Sequence, residues 1–173
     1  MFEMRDPGEE QLFSFRENRK IEVRMIFLDT GFLTNDEIEL RLQRTVDGDP
    51  RKEWVPAYHF AICDREGRQM GACDLRIGHN ENTYYGGNIG YCIEEEYRGR
   101  HYAGKACLLL FELAKKHNMD HLIITCDPDN IASRKTCEYA GCHLVEIVTL
   151  PEDNAMRLEN GATEKCQYRI DIE

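Results

Sequence analysis

Asn88-Ile89-Gly90-Tyr91-Cys92-Ile93-Glu94-Glu95-Glu96-Tyr97-Arg98-Gly99-Arg100-His101-Tyr102-Ala103-Gly104-Lys105, continuing to Cys142, is the stretch that decides the fold. An apolar strand ends at Ile93, and three acids and a tyrosine lead to Arg98-Gly99-Arg100. Ala103, Ala106, Cys107, Leu110, Phe111 and Ala114 then recur at helical spacing, with Glu112, Lys115 and Lys116 facing outward. A short, wholly apolar strand, Leu122 to Cys126, follows, and Asp127-Pro128-Asp129-Asn130 opens a second helix that Gly141 closes. A strand that runs through a glycine loop into a helix N-terminus presents unpaired N–H groups and a positive dipole end. That combination suits an anion such as a pyrophosphate.

Working outward, the chain before Asn88 changes period. Ile38, Leu40 and Leu42 alternate with polar residues, Tyr58 to Cys63 is a second strand, and Asp64-Arg65-Glu66-Gly67-Arg68 is a hairpin turn into a third, Gln69 to Ile77. Gly78 to Asn82 reads as a polar turn before the strand Ile89 to Ile93. Short connections make these four strands an antiparallel meander, whereas the helix after Ile93 makes the fourth and fifth strands a parallel pair. Leu144 to Val148 and Tyr168 to Ile172 read as the last strands, separated by a polar loop over 151–165. Near the N-terminus, Leu12, Phe13 and Phe15 fit a helix or a strand, and Ile21 to Phe27 begins with alternation. The reading is a mixed α/β fold in one domain, residues 1–173.

Bulk properties exclude several functions. A formal charge of −10 opposes non-specific binding to nucleic acid or to an anionic membrane. No run approaches the roughly 20 apolar residues of a membrane span, and Met1-Phe2-Glu3-Met4-Arg5-Asp6 carries no signal-peptide core, so a cytoplasmic location is expected. The eight cysteines include no C-x-x-C, and Cys137 and Cys142 have no histidine at ligand spacing, so they read as small buried hydrophobes rather than disulfides or a metal site.

Meander, helix-linked pair and glycine-terminated helix together resemble the GNAT superfamily of acyl-CoA N-acyltransferases. Arg98-Gly99-Arg100-His101-Tyr102-Ala103 fits the family's cofactor motif, with His101 where glycine is usual. Asn130-Ile131-Ala132-Ser133, followed by Glu138-Tyr139-Ala140-Gly141, is similar to the branch that acetylates ribosomal-protein N-termini and small amines. The resemblance implies a GNAT-like fold in which the fourth and fifth strands form a splayed parallel pair, acetyl-CoA as co-substrate, a primary amine of a small molecule or peptide as acceptor, and a homodimer as a reasonable assembly. It places the pantetheine arm along Tyr91, Cys92 and Ile93, the pyrophosphate on Arg98, Gly99, Arg100, His101, Tyr102, Ala103, Gly104 and Lys105, and a pantetheine amide on Asn130.

A capping role for Asn130 is the plainer alternative. Transfer needs a neutral amine, a polarised carbonyl and a proton for the departing thiolate. Many relatives draw that proton from a tyrosine seven residues after the motif asparagine, where this chain has Cys137, so Ser133 is the candidate partner of the CoA sulfur. Relatives often carry a glutamate base where this chain has Asn88, which accepts no proton at neutral pH. His79 and Glu81, on the turn before that strand, are then the candidate bases, or simply a solvated turn. Trp54, Tyr58, Tyr84 and Tyr85 are candidates for an acceptor pocket, with core packing the alternative for Tyr58. A CoA-binding module without turnover, a sensor or interaction domain, is the competing reading.

Overall fold

The computed structural model describes residues 24–172. The readings at Leu12, Phe13 and Phe15, and the first alternating residues from Ile21 to Val23, lie outside the described residues.

Strands β1 (Ile38–Val46), β2 (Ala57–Asp64), β3 (Gln69–Arg76) and β4 (Ile89–Ile93) form an antiparallel sheet in the order β1-β2-β3-β4. The β2–β3 turn is set by Asp64, whose carboxylate accepts from the amides of Glu66 (3.0 Å) and Arg68 (2.8 Å), while Gly67 takes the positive φ that the turn requires. β2 is buried along almost its whole length, and His59 is its half-buried exception. Helix α2 (Tyr102–Lys116) covers one face of this sheet, burying Ala106, Cys107, Leu110, Leu113 and Ala114 in one core with Tyr58, Phe60, Cys73, Leu75 and Ile89. Each such leucine contributes about 1.5–3 kcal/mol through removal from water.

The second sheet holds β5 (His121–Cys126), β6 (His143–Thr149) and β7 (Glu164–Asp171) in the order β5-β7-β6, both pairs antiparallel. Helix α3 (Ile131–Tyr139) links β5 to β6. The two sheets meet at β4 and β5, and the pair is splayed. Among the described residues, the one backbone bond between these strands runs from Asn88 N–H to Ile123 O, 2.6 Å.

Two polar stretches read as turn and loop contain short helices. α1 (Glu81–Gly86) is nucleated by a capping box between Asn80 and Thr83, and α4 (Ala155–Asn160) starts at an Asn154 cap and ends at Gly161 in the left-handed region. Six residues are too few to show an apolar period, so only the caps announced them. β7 also starts earlier than its apolar residues suggest, at Glu164. All eight cysteines are free thiols; seven are buried, and Cys92 is exposed. Among the described residues no helix is long and apolar enough to cross a membrane.

Candidate active site

Asn88 closes one end of the split between β4 and β5. Its side chain is fully buried: Oδ1 accepts from Ile123 N–H (3.0 Å), and Nδ2 donates to Gly78 O (2.8 Å) and Arg76 O (3.2 Å). Its own backbone joins in, with N–H on Ile123 O and carbonyl on Arg76 N–H. Only an amide serves here, because one end must accept and the other donate; a carboxylate would face two carbonyl oxygens. Asn88 is therefore a structural staple at the position where the resemblance implies a glutamate base. Gly87 beside it has φ +76, and a Cβ there would stand 3.0 Å from Ile123 O and Thr125 N.

Beyond the staple the strands diverge. Arg76 N–H bonds Asn88 O and Glu94 N–H bonds Met70 O, so even-numbered residues of β4 turn their backbone toward β3. Tyr91 and Ile93, between them, turn theirs toward the split. An extended ligand arm would find the Tyr91 backbone and the Ile93 N–H there, the kind of strand edge that accepts an added strand, while Ile93 O is taken by Arg98 Nε.

Side chains from β4, β5 and α3 converge over this open end. Asn130 Oδ1 accepts from Ser133 N–H at 3.0 Å, so Asn130 is the α3 cap, and that cap fixes Ser133 in the first turn. The Tyr91 hydroxyl lies 2.7 Å from Ser133 Oγ and 3.8 Å from Cys137 Sγ. Burial is the main cause that pushes the Tyr91 phenol far above its usual range, so it keeps its proton. Hydrogen bonds from Cys137 and Ser133 pull the Cys126 thiol down, while Cys137, which supplies the first of them, is pushed far up. The sequence reading named Tyr91 for its backbone alone and did not single out Cys126 or the Tyr91 hydroxyl. The phenol lies beside Cys137, the position where the resemblance implies a proton-donating tyrosine, and alternation along β4 was the only signal that pointed it there.

The loop into α2 has the geometry of an anion cradle. Gly99 has φ +79 and His101 φ +60, and no side chain caps the helix, leaving the first-turn amides of Tyr102, Ala103 and Gly104 without a side-chain partner. The left-handed backbone explains why glycine is usual at position 101; for histidine it costs about 1–2 kcal/mol. Stacking of the His101 ring on Tyr139, 4.4 Å apart and 7° from parallel, offsets part of that. Gly104 is required for packing, since a Cβ would lie 2.3 Å from the Tyr139 ring. Arg98 donates from Nε to Ile93 O at 2.9 Å, Lys105 is bonded to Glu37, and Arg100 is exposed.

On the open face of the first sheet, a pocket of about 540 Å³ is lined by Trp54, His59, Arg76, Thr83, Gly86 and Met156, among others. A second hollow, of about 450 Å³, shares His59 with it and reaches Gly90, Tyr91 and Cys92. Burial lowers the His59 pKa from the ordinary 6.5, against the opposing charge of Asp74, its cross-strand neighbour. Of the four aromatic candidates, Trp54 lines the larger pocket. Tyr58 is fully buried, with its hydroxyl 2.7 Å from Leu28 N–H and from His117 Nε2, and Tyr84 donates to Glu146 Oε1 at 2.9 Å. The structure does not bring His79 to Ser133: His79 stacks on His121, at the start of β5, and five strand steps of about 3.3 Å separate His121 from Cys126. Glu81 is exposed at the first position of α1.

The model of the acetyltransferase (GNAT) domain family matches residues 5–143. No curated protein matches the chain. Among solved structures, the microcin C7 self-immunity acetyltransferase MccE in complex with acetyl-CoA and AMP is 22% identical with a TM-score of 0.54, covering 67% of this chain and 61% of that one. The ribosomal-protein-S5-alanine acetyltransferase from Vibrio fischeri is 19% identical with a TM-score of 0.53, covering 68% and 62%. RimL, the ribosomal L7/L12 alpha-N-protein acetyltransferase, in complex with coenzyme A, is 16% identical with a TM-score of 0.57, covering 80% and 96%. This chain spans about three fifths of the length of the first two, and at these identities the likeness is one of fold. A family model that matches 5–143, over a splayed strand pair and an uncapped helix start, settles the class: the chain belongs to the GNAT acetyltransferase family.

Proposed function

We propose that the protein transfers an acetyl group from acetyl-CoA to a primary amine of a small molecule or peptide, directly, within a ternary complex. The observation that carries this reading is the 2.7 Å contact between Tyr91 and Ser133 at the open, unpaired end of the β4–β5 split. The neighbours solved with acetyl-CoA or coenzyme A support it through shared fold.

In this reading the Tyr91 backbone and the Ile93 N–H pair with the pantetheine arm, and the amides of Tyr102 to Gly104 with Arg98 and Arg100 take the pyrophosphate. Ser133 Oγ gives its proton to the sulfur as the C–S bond breaks and takes the Tyr91 phenol proton in the same step, and the phenolate, strongly basic because it is buried, recovers a proton from water. Asn130 acts by holding Ser133. The acceptor amine enters through the pocket under Trp54. His59 accepts the amine proton through water, because its row in the sheet, His59–Asp74–Gly90, sets it about 10 Å from β4, two strand spacings away. The lowered pKa keeps His59 neutral, and so able to accept, at pH 7. Eight free thiols suit the reducing cytoplasm.

Thiol release from acetyl-CoA in the presence of peptides, polyamines and aminoglycosides tests this. Turnover with one acceptor class is expected, with Ser133→Ala slowing it about 10–100-fold at little change in CoA affinity. Tight CoA binding with no transfer to any acceptor would favour the silent binding module, and absence of CoA binding would overturn both readings.

A further inference from the structure

We infer that His79, Asp120 and His121 form a binding site for a divalent transition metal of the zinc class, at the closed end of the β4–β5 split. The three side chains come from two elements that the staple brings together: His79 from the turn before α1, and Asp120 and His121 from the start of β5. One ligand atom from each lies within 4.8 Å of the others. His121 Nδ1 is 2.6 Å from Asp120 Oδ1, and His79 Nε2 is 3.9 Å from the same oxygen. The imidazole rings stack 4.0 Å apart and 1° from parallel, so they lie side by side at the cluster and must tilt toward each other for their in-plane lone pairs to meet at one ion.

The donor set, two imidazoles and one carboxylate, is one that zinc takes with a position left for water. Zinc–nitrogen bonds near 2.0–2.1 Å put tetrahedral donors about 3.3 Å apart, so the 3.9 Å His79–Asp120 separation must close by roughly 0.6 Å and the 2.6 Å His121–Asp120 separation must open by about 0.7 Å. The Asp120 side chain, 84% exposed, is free to make both movements. The backbones beneath are already anchored: Asn88 Nδ2 holds Gly78 O at 2.8 Å, and Ile172 N–H holds Asp120 O at 2.8 Å. The nearby cation, Arg169, is paired with Asp171 Oδ1 at 2.8 Å, which leaves less positive charge to oppose the metal. On binding, the metal replaces the proton shared between His121 Nδ1 and Asp120.

A metal here ties the turn that starts α1 to β5. α1 supplies Asn82, Thr83 and Gly86 to the wall of the larger pocket, so occupancy would stiffen that wall. The spacing of 41 residues between His79 and Asp120 hides the set from any local motif, which is why no metal was expected from the sequence.

The probe is zinc chloride alone, titrated calorimetrically into the full chain, with cobalt absorption to report the ligands. One equivalent is expected to bind and raise Tm, with no thiolate-to-cobalt charge-transfer band. His79→Ala and His121→Ala should each weaken binding at least about tenfold and abolish the zinc-dependent rise above each variant's own metal-free Tm, while CoA affinity stays unchanged. Zinc affinity unaltered in the His79→Ala/His121→Ala double variant, a thiolate band, or no binding at millimolar zinc would each overturn the assignment. Because CoA binding is read separately, failure here leaves the acetyl-transfer reading standing.

Discussion

The two ends of the β4–β5 split are built from the same two strands and differ in how their polar groups are satisfied. At the Asn88 end, an amide side chain and its own backbone answer Ile123, Arg76 and Gly78, and none of these backbone groups is left for an added strand. At the Tyr91 end, backbone groups face an opening and the nearby hydroxyls and thiols bond mainly to one another. A strand pair saturated throughout would be an ordinary sheet; one open throughout would not hold the sheets together. The staple lets the split exist, and the unsatisfied end specifies what enters it.

Substitution at the closed end should show the largest effect. Asn88→Ala strands the Ile123 amide and two carbonyls in a buried site and should cost about 3 kcal/mol or more in urea unfolding. A loss below 1 kcal/mol would mean the staple does not hold the sheets. Next, Gly104→Ala forces the Tyr139 ring to move and should destabilise by roughly 1–3 kcal/mol, measured the same way. At the open end, Tyr91→Phe should fold normally yet lower kcat about tenfold with CoA affinity within about twofold. Equal rates would remove the phenol from the proton path.

The pH profile probes the acceptor side. A base whose pKa is lowered from 6.5 stays neutral to more acidic pH, so kcat/KM should hold from neutrality down and fall only below that lowered value. His59→Gln should lose this acid limb, and a limb that persists would place the base elsewhere. The smallest effect belongs to His101→Gly, which removes left-handed strain and the Tyr139 stacking together and should change stability by less than about 1 kcal/mol while CoA binding is retained.

The fold was legible because its signals are periodic and local. Alternation at Ile38–Leu42, the Asp64–Arg68 turn, the helical stripe from Ala103 to Ala114 and the glycine after α3 each name an element from a few adjacent residues. α1 and α4 escaped because six-residue helices are defined by a cap rather than a period. The cradle from Arg98 to Gly104 was readable as a motif, and the structure adds why His101 is tolerated and what Gly104 packs against. The Tyr91–Ser133 contact, the His59–Asp74 pair and the His79–Asp120–His121 cluster each join residues that only the folded register makes neighbours. Asn88 shows the same limit from the other side: its identity excluded a base, but its role as a staple depends on Gly78, Arg76 and Ile123.

Amide hydrogen exchange with and without coenzyme A tests the central claim most directly, read at single residues along β4 and β5. The amides of Tyr91 and Ile93 should gain protection when coenzyme A is added, while those of Asn88 and Ile123 are slow in both states. Protection that appears elsewhere, with Tyr91 and Ile93 unchanged under saturating coenzyme A, would contradict the placement of the cofactor in the split.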